Sequence, residues 1–331
     1  MKNILNYLFE QKTLSKEEAK EVLTNIAKGH YNHSQIASFI SVYLMRSITL
    51  QELSGFRDAL LDLCIPVDLS DFDTIDVCGT GGDAKDTFNI STLTTFVVAG
   101  AGAKVAKHGN YAVSSTCGSS NIMEYVGYKF SNNPAKLKRE LELTGVCFLH
   151  APLFNPAMKN VAPVRKELGV KTFFNMLGPL VNPAFPQKQM IGVYNLELAR
   201  LYSYLFQQSG KDFVIIHSLD GYDEVSLTGD CKMITRDLEQ IISSSVLGLK
   251  QCKPQELKGG KTVPEAGSIF MHVLENTGTV ARHDVVIANA GMGLKAYYPE
   301  KSLSECIDMA RTSLDSGKAL QVLKKLIKLN E

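Results

Sequence analysis

Short apolar segments that end at glycine and lead into helical segments constrain the fold of this chain more than any other feature. The first is TIDVCGTGGD at residues 74–83, and NISTLTTFVVAGAGAKVAKHG then has the pattern of a helix followed by a strand. Three later segments have the composition of buried strands: VCFLHAP, MIGVYN and FVIIHSLDG. Strands that alternate with helices form a largely parallel sheet flanked by helices. We therefore expect an α/β domain.

The first 65 residues differ, because their apolar side chains recur at helical spacing. Ser15 with Glu18 and Thr49 with Glu52 have capping-box spacing, which predicts two helix starts. We expect three or four short helices. An apolar stripe within them is expected to pack in the core or at a dimer face, and it consists of Ile36, Phe39, Ile40, Tyr43 and Leu44.

Composition excludes several classes of protein. Lys and Arg number 35 against 34 Asp and Glu, so the net charge of +1 gives no field that would attract nucleic acid or an anionic membrane. The seven cysteines form no CxxC pair, and an odd number fits no closed disulfide framework. The N-terminus lacks the apolar region of a secretory signal, and the longest apolar stretch, 96–106, is too short to span a bilayer. We expect a cytoplasmic protein with reduced thiols.

Two neighbouring segments favour an anion site. The GTGGD loop, residues 79–83, offers glycines that let backbone N–H groups approach a phosphate, although alone it also fits a plain turn. Residues 87–92 then place hydroxyl and amide groups at a helix N-terminus, where the helix dipole favours anions. The dinucleotide-binding GxGxxG and the P-loop GxxxxGK[ST] spacings are both absent.

A third segment adds a cation and more donors. Lys107, His108, Gly109 and Asn110 precede a polar run at residues 114–120. Alone, the lysine would be interpreted as a surface residue and the histidine as a structural one. Beside the other two segments, they suit a phosphate or pyrophosphate.

An acidic turn, DGYDE at residues 220–224, follows the FVIIHS strand. Carboxylates in a site built for anions repel each other and the ligand unless a cation lies between them. Mg²⁺ takes carboxylate, hydroxyl and phosphate oxygens, so Asp223, Glu224 and the Ser91 hydroxyl form a candidate metal site. The alternative is an ordinary solvated turn.

Six motifs together carry a resemblance to a known family: GTGGD, NIST, KHGN, VAPVRKELG, FNMLGPLVNPA and DGYDEVSLTG. In this order, over about residues 3–325, the chain resembles the anthranilate phosphoribosyltransferases. The resemblance implies a helical N-terminal domain at 1–66, joined by helices from about 155–185, and an α/β domain at 72–331 with a mostly parallel central sheet. It also implies a homodimer formed largely through the helical domain.

The implied activity is Mg²⁺-dependent transfer of the phosphoribosyl group of 5-phosphoribosyl 1-diphosphate (PRPP) to the amine of anthranilate, a step of tryptophan biosynthesis. The residues that the resemblance assigns to PRPP are Gly79, Gly82, Asp83, Thr87, Asn89, Ile90, Ser91, Thr92, Lys107, His108, Gly109, Asn110, Tyr111, Ala112, Val113, Ser114, Ser115 and Ser119. It assigns anthranilate to Gly79, Asn110 and Arg165, and the metal to Ser91, Asp223 and Glu224. The catalytic set is Lys107, His108, Asn110 and Arg165.

Three positions depart from the family pattern. Tyr111 stands where many members carry Arg, Asn121 where they carry Asp, and Asn155 where they carry His. The departures bear on hydrogen bonding in the PRPP loop and on anthranilate binding. No residue assigned to metal or diphosphate is lost.

Three alternatives stay in view. A pyrimidine nucleoside phosphorylase would share the glycine and KHGN loops, but the Asp223-Glu224 turn argues against it. A non-catalytic nucleic-acid-binding paralogue should carry a basic surplus and a damaged acidic pair. A type I phosphoribosyltransferase would carry a paired-acid loop ending in TG, which this chain lacks. Association with the anthranilate synthase is left open by the sequence.

Overall fold

The computed structural model describes residues 1–112 and 116–330. The chain divides into two compact units. The helical unit consists of Met1–Val67 with Ala151–Phe185, and the sheet unit consists of Asp68–His150 with Pro186–Glu331. This division describes contacts within the chain and does not test whether either part folds alone. The domain boundaries 1–66 and 72–331 therefore stay a prediction.

Helices alternate with strands along most of the chain after a start that is entirely helical. In chain order the elements are α1 (Lys2–Phe9), α2 (Lys16–Ala27), α3 (His33–Met45), α4 (Leu50–Leu63), β1 (Thr74–Gly79), α5 (Ile90–Gly100), β2 (Lys104–Gly109), α6 (Ser119–Tyr125), α7 (Pro134–Thr144), β3 (Val146–His150), α8 (Ala151–Phe154), α9 (Ala162–Leu168), α10 (Phe174–Leu177), β4 (Lys188–Gly192), α11 (Leu196–Ser209), β5 (Asp212–Ser218), β6 (Cys231–Ile234), β7 (Glu239–Ile242), α12 (Val263–Leu274), α13 (Val280–Tyr297), α14 (Leu303–Asp315) and α15 (Lys318–Lys328). Short 3₁₀ helices occupy Pro156–Asn160, Gly178–Leu180 and Pro254–Leu257.

The helical unit begins with the helices that the capping signals predict. The Ser15 and Thr49 hydroxyls each accept the N–H of the glutamate three residues later, so both capping boxes are confirmed. The apolar stripe is buried from Ile36 to Tyr43. Leu44, in the last turn of α3, is 46% exposed, so it does not join the core of this chain, and its place at a dimer face stays a prediction.

The sheet unit is built on one sheet of seven strands among the described residues, in the order β3-β2-β1-β4-β5-β6-β7. The first five strands pair in parallel, and β6 and β7 add an antiparallel edge. The expected mostly parallel sheet flanked by helices is confirmed. Strands β6 and β7, of four residues each, were not predicted from the sequence.

Helix and strand ends in the sheet unit follow the local sequence closely. Asn133 caps α7, Pro134 opens it, and Gly145 with φ of +82° ends it. The MIGVYN segment enters β4 only up to Gly192, so this strand ends earlier than predicted. The C-terminal segments form α12 to α15.

The strand order places a topological switch point at the centre of the sheet. From β1 the chain proceeds to β2 and β3 on one side, and β4 then returns to the other side of β1. Ligands of open α/β sheets bind at the carboxyl ends of the strands beside such a point. Over the described ranges, the helices include none with the length and apolar character of a membrane span.

Candidate functional site

Two glycines at strand ends make room for the acidic turn that follows β5. A Cβ on Gly79, at the end of β1, would lie 2.6 Å from Asp223 Oδ2. A Cβ on Gly192, at the end of β4, would overlap the Asp223 carbonyl oxygen. Asp223 is thereby seated against the GTGGD loop, where its Oδ2 accepts the Gly81 N–H at 2.6 Å. Gly81 and Gly82 have φ of +62° and +80°, which L side chains rarely adopt.

Three carboxylates converge beside this loop. One oxygen each from Asp83, Asp223 and Glu224 lie within 4.8 Å of one another. Glu224 Oε2 accepts the Thr87 hydroxyl at 3.3 Å, and Asp83 Oδ1 accepts the Lys85 N–H at 3.1 Å. Asp83 Oδ2 is buried and has no hydrogen-bond partner among the described residues. The turn's other acid, Asp220, is exposed and outside the cluster.

The repulsion among the carboxylates of this cluster favours a bound cation. Burial and the neighbouring carboxylates raise the pKa of Asp223 to about 7 and raise the pKa of Glu224 well above its usual range. Three hard oxygen donors, one with an orphaned buried oxygen, fit Mg²⁺. The residues present therefore fit the metal that the sequence predicts.

Lys107 supplies a buried cation on the neighbouring strand β2. It is 2% exposed, and its Nζ donates to the Val77 carbonyl at 2.6 Å and to Ser91 Oγ at 3.5 Å. Burial lowers its pKa, while Asp76 and Glu224 oppose that change. Ser91 lies in the first turn of α5, so the lysine and a helix N-terminus are brought together.

The N-terminus of α5 offers backbone donors. Asn89 precedes the helix, and no side chain caps its first turn among the described residues. The Asn89 amide instead donates to the Cys117 carbonyl at 2.9 Å. Ile90 and Thr92 are buried beneath this turn. An uncapped helix N-terminus beside a glycine loop is suited to a phosphate group.

The KHGN segment ends β2 and is held by α6. His108 donates its backbone N–H to Asp76 Oδ1 at 3.2 Å, and its ring is nearly buried. After Gly109, the Asn110 carbonyl accepts the Ser119 hydroxyl at 3.2 Å and the Ser120 N–H at 3.1 Å. Val113, Ser114 and Ser115, which the sequence assigns to PRPP, lie outside the described residues.

The structure gives each departure from the family pattern a partner. Asn121 Oδ1 accepts the N–H groups of Ala112 and Gly118, both at 3.0 Å, so it joins two peptide groups that are six positions apart in sequence. The Tyr111 hydroxyl donates to Glu124 at 2.7 Å, and its ring meets the His150 ring edge to face at 4.7 Å. Asn155, in the helical unit, is buried, and its amide donates to the Ala151 carbonyl at 3.4 Å.

Arg165 belongs to the helical unit, in the last turn of α9. Its guanidinium is half-buried, donates to Asn175 Oδ1 at 3.3 Å and lies 5.4 Å from the centre of the Phe174 ring. Burial lowers its pKa. Among the described residues, no carboxylate forms an ion pair with it. A half-buried cation without a counter-ion is suited to an anionic ligand.

Two features of the site escaped the sequence interpretation. Asp83 was assigned to PRPP alone, yet its carboxylate lies with Asp223 and Glu224. An acidic side chain within an anion-binding loop was the available sign that Asp83 belongs to the metal site. Gly192 was not singled out, because a glycine at the end of a strand signals little until the Asp223 turn is packed against it.

The chain matches the models of two domains of one protein family. Residues 2–64 match the helical bundle domain, and residues 71–320 match the a/b domain, of a glycosyl transferase family. The fold and the site thus define a glycosyl transferase of two parts.

Individual relatives narrow this class. An anthranilate phosphoribosyltransferase of Flavobacterium psychrophilum is 58% identical over 330 residues, covering 100% of both chains. The crystal structure of the Thermus thermophilus anthranilate phosphoribosyltransferase has a TM-score of 0.92 at 32% identity and 98% coverage of both chains. The Saccharomyces cerevisiae enzyme, in complex with PRPP and Mg, has a TM-score of 0.88 at 26% identity, covering 98% of this chain and 96% of that one. Its complex with 4-fluoroanthranilate has a TM-score of 0.87 at 25% identity, with the same coverage. The chain belongs to the anthranilate phosphoribosyltransferase family.

Proposed function

We propose that this chain is a Mg²⁺-dependent anthranilate phosphoribosyltransferase. It transfers the phosphoribosyl group of PRPP to the amine of anthranilate and yields N-(5-phosphoribosyl)anthranilate and diphosphate, in tryptophan biosynthesis. The observation that carries the proposal is the cluster of Asp83, Asp223 and Glu224 beside the glycine loop and the N-terminus of α5. Acids and anion-binding donors side by side are suited to a metal–diphosphate ligand.

The diphosphate would bind to backbone and side-chain donors of the sheet unit. The Asn89 side chain makes no capping hydrogen bond to the first turn of α5, so N–H groups of this turn could donate to a phosphate. Lys107 adds a cation that burial keeps from water. Burial lowers the pKa of Lys107 because it disfavours the charged form, and a bound phosphate would stabilise that form again.

Asp223, Glu224 and Ser91 would hold the metal, and the position of Asp83 adds a fourth oxygen ligand. A bound Mg²⁺ would neutralise charge on the diphosphate as it leaves. The residues of this chain keep the carboxylates in place: Gly81 donates to Asp223, and Thr87 donates to Glu224.

The reaction exchanges one bond for another. The anthranilate nitrogen forms a bond to C1′ of the ribose, the bond from C1′ to the diphosphate oxygen breaks, and the amine loses one proton. Positive charge develops on the ribose, so preorganised electrostatics should supply most of the rate enhancement. The aryl amine becomes acidic only as the bond to C1′ forms, so a strong base is unnecessary. His108 is the candidate that would accept the proton.

Anthranilate is an aromatic carboxylate, and Arg165 suits it. The guanidinium combines a charge with a flat face, and it already lies near the Phe174 ring. Gly79 and Asn110 keep the roles in anthranilate binding that the family resemblance implies.

The test follows anthranilate fluorescence in a mixture of purified protein, PRPP and Mg²⁺. We expect the signal to fall only when metal is present, and an Asp223→Asn/Glu224→Gln variant should abolish the loss. Asp220→Asn is the matched control, because Asp220 lies on the same turn outside the cluster.

The competing outcome is specific. Phosphorolysis of thymidine or uridine, with no loss of anthranilate under any metal, would reassign the chain to the nucleoside phosphorylases. It would also remove the role of Arg165 in carboxylate binding.

Two further expectations accompany this function. We propose a homodimer formed through the helical unit, whose exposed apolar side chains include Phe9 and Met45. We also propose a cytoplasmic location, in keeping with seven free cysteines. Light scattering of the purified protein and fractionation of the cells that express it would test these proposals.

A further inference from the structure

Asn175 is the one side chain that hydrogen-bonds the guanidinium of Arg165 among the described residues. Its amide oxygen accepts Arg165 Nη2 at 3.3 Å and the backbone N–H of Thr172 at 3.1 Å. The backbone N–H of Asn175 donates to the Thr172 carbonyl at 2.9 Å. Asn175 therefore both accepts a hydrogen bond from Thr172 and donates one to it.

These bonds fix which end of the amide faces the arginine. A backbone N–H can only donate, so the atom that it meets on Asn175 must be the oxygen. The same oxygen then faces Arg165. Because it is neutral, it orients the guanidinium without cancelling its charge. Phe174, the preceding residue, places its ring 5.4 Å from the guanidinium carbon.

We infer that Asn175 is a positioning residue that holds the Arg165 guanidinium oriented and uncompensated, so that its remaining N–H groups bind the carboxylate of the aromatic substrate. The inference rests on the proposed function, because it takes the carboxylate of anthranilate as the ligand of Arg165. A carboxylate at position 175 would occupy the same N–H group and neutralise the cation before substrate arrives. The neutral amide avoids this competition.

The variant Asn175→Asp separates positioning from structure. Asp keeps an acceptor for the Thr172 N–H, so the local fold should persist, but it adds a negative charge beside Arg165. We expect KM for anthranilate to rise about tenfold or more, the equivalent of one lost charged contact. The kcat and KM for PRPP should stay within about twofold, and the melting temperature should not fall.

Two controls frame the result. Asn32→Asp adds the same charge to the helical unit at an exposed helix cap, where Asn32 Oδ1 accepts the Gln35 N–H, and should leave KM unchanged. Asn175→Leu removes the acceptor altogether, so it should raise KM for anthranilate and also lower the melting temperature.

Each outcome has a definite meaning. If Asn175→Asp behaves like the wild type while Asn175→Leu is unstable, the residue is structural and the inference is wrong. Equal rises in KM for both substrates also overturn it. A wild-type protein that consumes no anthranilate overturns the proposed function instead, before any variant is compared.

Discussion

The main chain of Gly79 passes so close to Asp223 that a methyl group on residue 79 would lie 2.6 Å from the Asp223 carboxylate oxygen. The end of the central strand β1 and the acidic turn after β5 thus share one small space. The carboxylate occupies it and accepts the Gly81 N–H. The first glycine of the loop therefore sets the position of an acid in the proposed metal site.

Gly79→Ala should reduce Mg²⁺-dependent activity more than stability. The atom displaced is the far end of a side chain, so the fold can adjust for about 1 kcal/mol, near the lower end of overpacking costs. The carboxylate would then leave its position in the cluster, and the Mg²⁺ concentration for half-maximal rate should rise about tenfold. Metal titrations and thermal melts check this. Gly229→Ala, whose Cβ would meet Asp220 at an ordinary 3.6 Å, should change neither.

Asp83→Asn should stabilise the metal-free protein while lowering activity. It removes one of three carboxylates that lie within 4.8 Å of one another, and the one whose Oδ2 has no partner among the described residues. Relief of about 1 kcal/mol would raise the melting temperature in chelator by roughly 2 °C. Asp220→Asn serves as the control of equal charge. A melting temperature that falls in Asp83→Asn would contradict the repulsion that the geometry implies.

Asn121 should tolerate Asp and reject Ala. Its Oδ1 accepts the N–H groups of Ala112 and Gly118, and a carboxylate oxygen can do the same. Asn121→Asp also places a negative charge in the first turn of α6, so we expect equal or slightly greater stability. Asn121→Ala leaves two N–H groups without a partner and should cost about 1–3 kcal/mol.

The matched readout for these two variants is KM for PRPP. It should rise about tenfold in Asn121→Ala and stay near the wild-type value in Asn121→Asp. Loss of PRPP binding in Asn121→Asp would show that the neutral amide itself is required.

His150 should make stability depend on pH below its ordinary pKa of 6.5. Its ring is buried at the end of β3, Nδ1 is paired with the Ser120 hydroxyl at 2.8 Å, and Phe130 stacks on it. Burial lowers the pKa, His108 lowers it further, and Glu124 opposes both. The folded state thus binds a proton less readily than the unfolded state.

The contribution of His150 to stability is fully present above pH 6.5 and is lost as the pH falls through the lowered pKa of the folded state. His150→Phe keeps a stacking ring but cannot titrate. Urea unfolding at several pH values should show that the free energy of unfolding of the wild type, measured relative to that of the variant, decreases as the pH falls below 6.5. A constant difference from pH 5 to 8 would refute this prediction.

Much of the fold could be predicted because its signals are local. The capping boxes at Ser15 and Thr49 and the Asn133-Pro134 start of α7 are read within a few residues of the helix that they begin. The antiparallel strands β6 and β7 were missed because four residues each carry too little periodicity. Pairing of β6 with β5, and of β7 with β6, supplies the order that the local pattern lacks.

The candidate site divides in the same way. The residue types of the GTGGD loop, KHGN and Asp223-Glu224 indicate phosphate and metal chemistry, because few other functions combine them. The sequence could not show that Asp83 belongs with acids 140 positions away. Nor could it show that the guanidinium of Arg165 hydrogen-bonds Asn175 and lies near the Phe174 ring.

The sequence by itself determined the class of fold, the starts of some helices and the kind of chemistry, since propensity, capping and residue type act over a few neighbouring positions. The tertiary structure alone decided which carboxylates lie together, which glycines leave room for Asp223 because they lack a Cβ, and which amide hydrogen-bonds Arg165. Those relationships depend on sheet order and on packing at the ends of β1, β4 and β5, and also on the fold of the segment after α9. Contacts between residues distant in sequence have no local signal, so only the folded chain contains them.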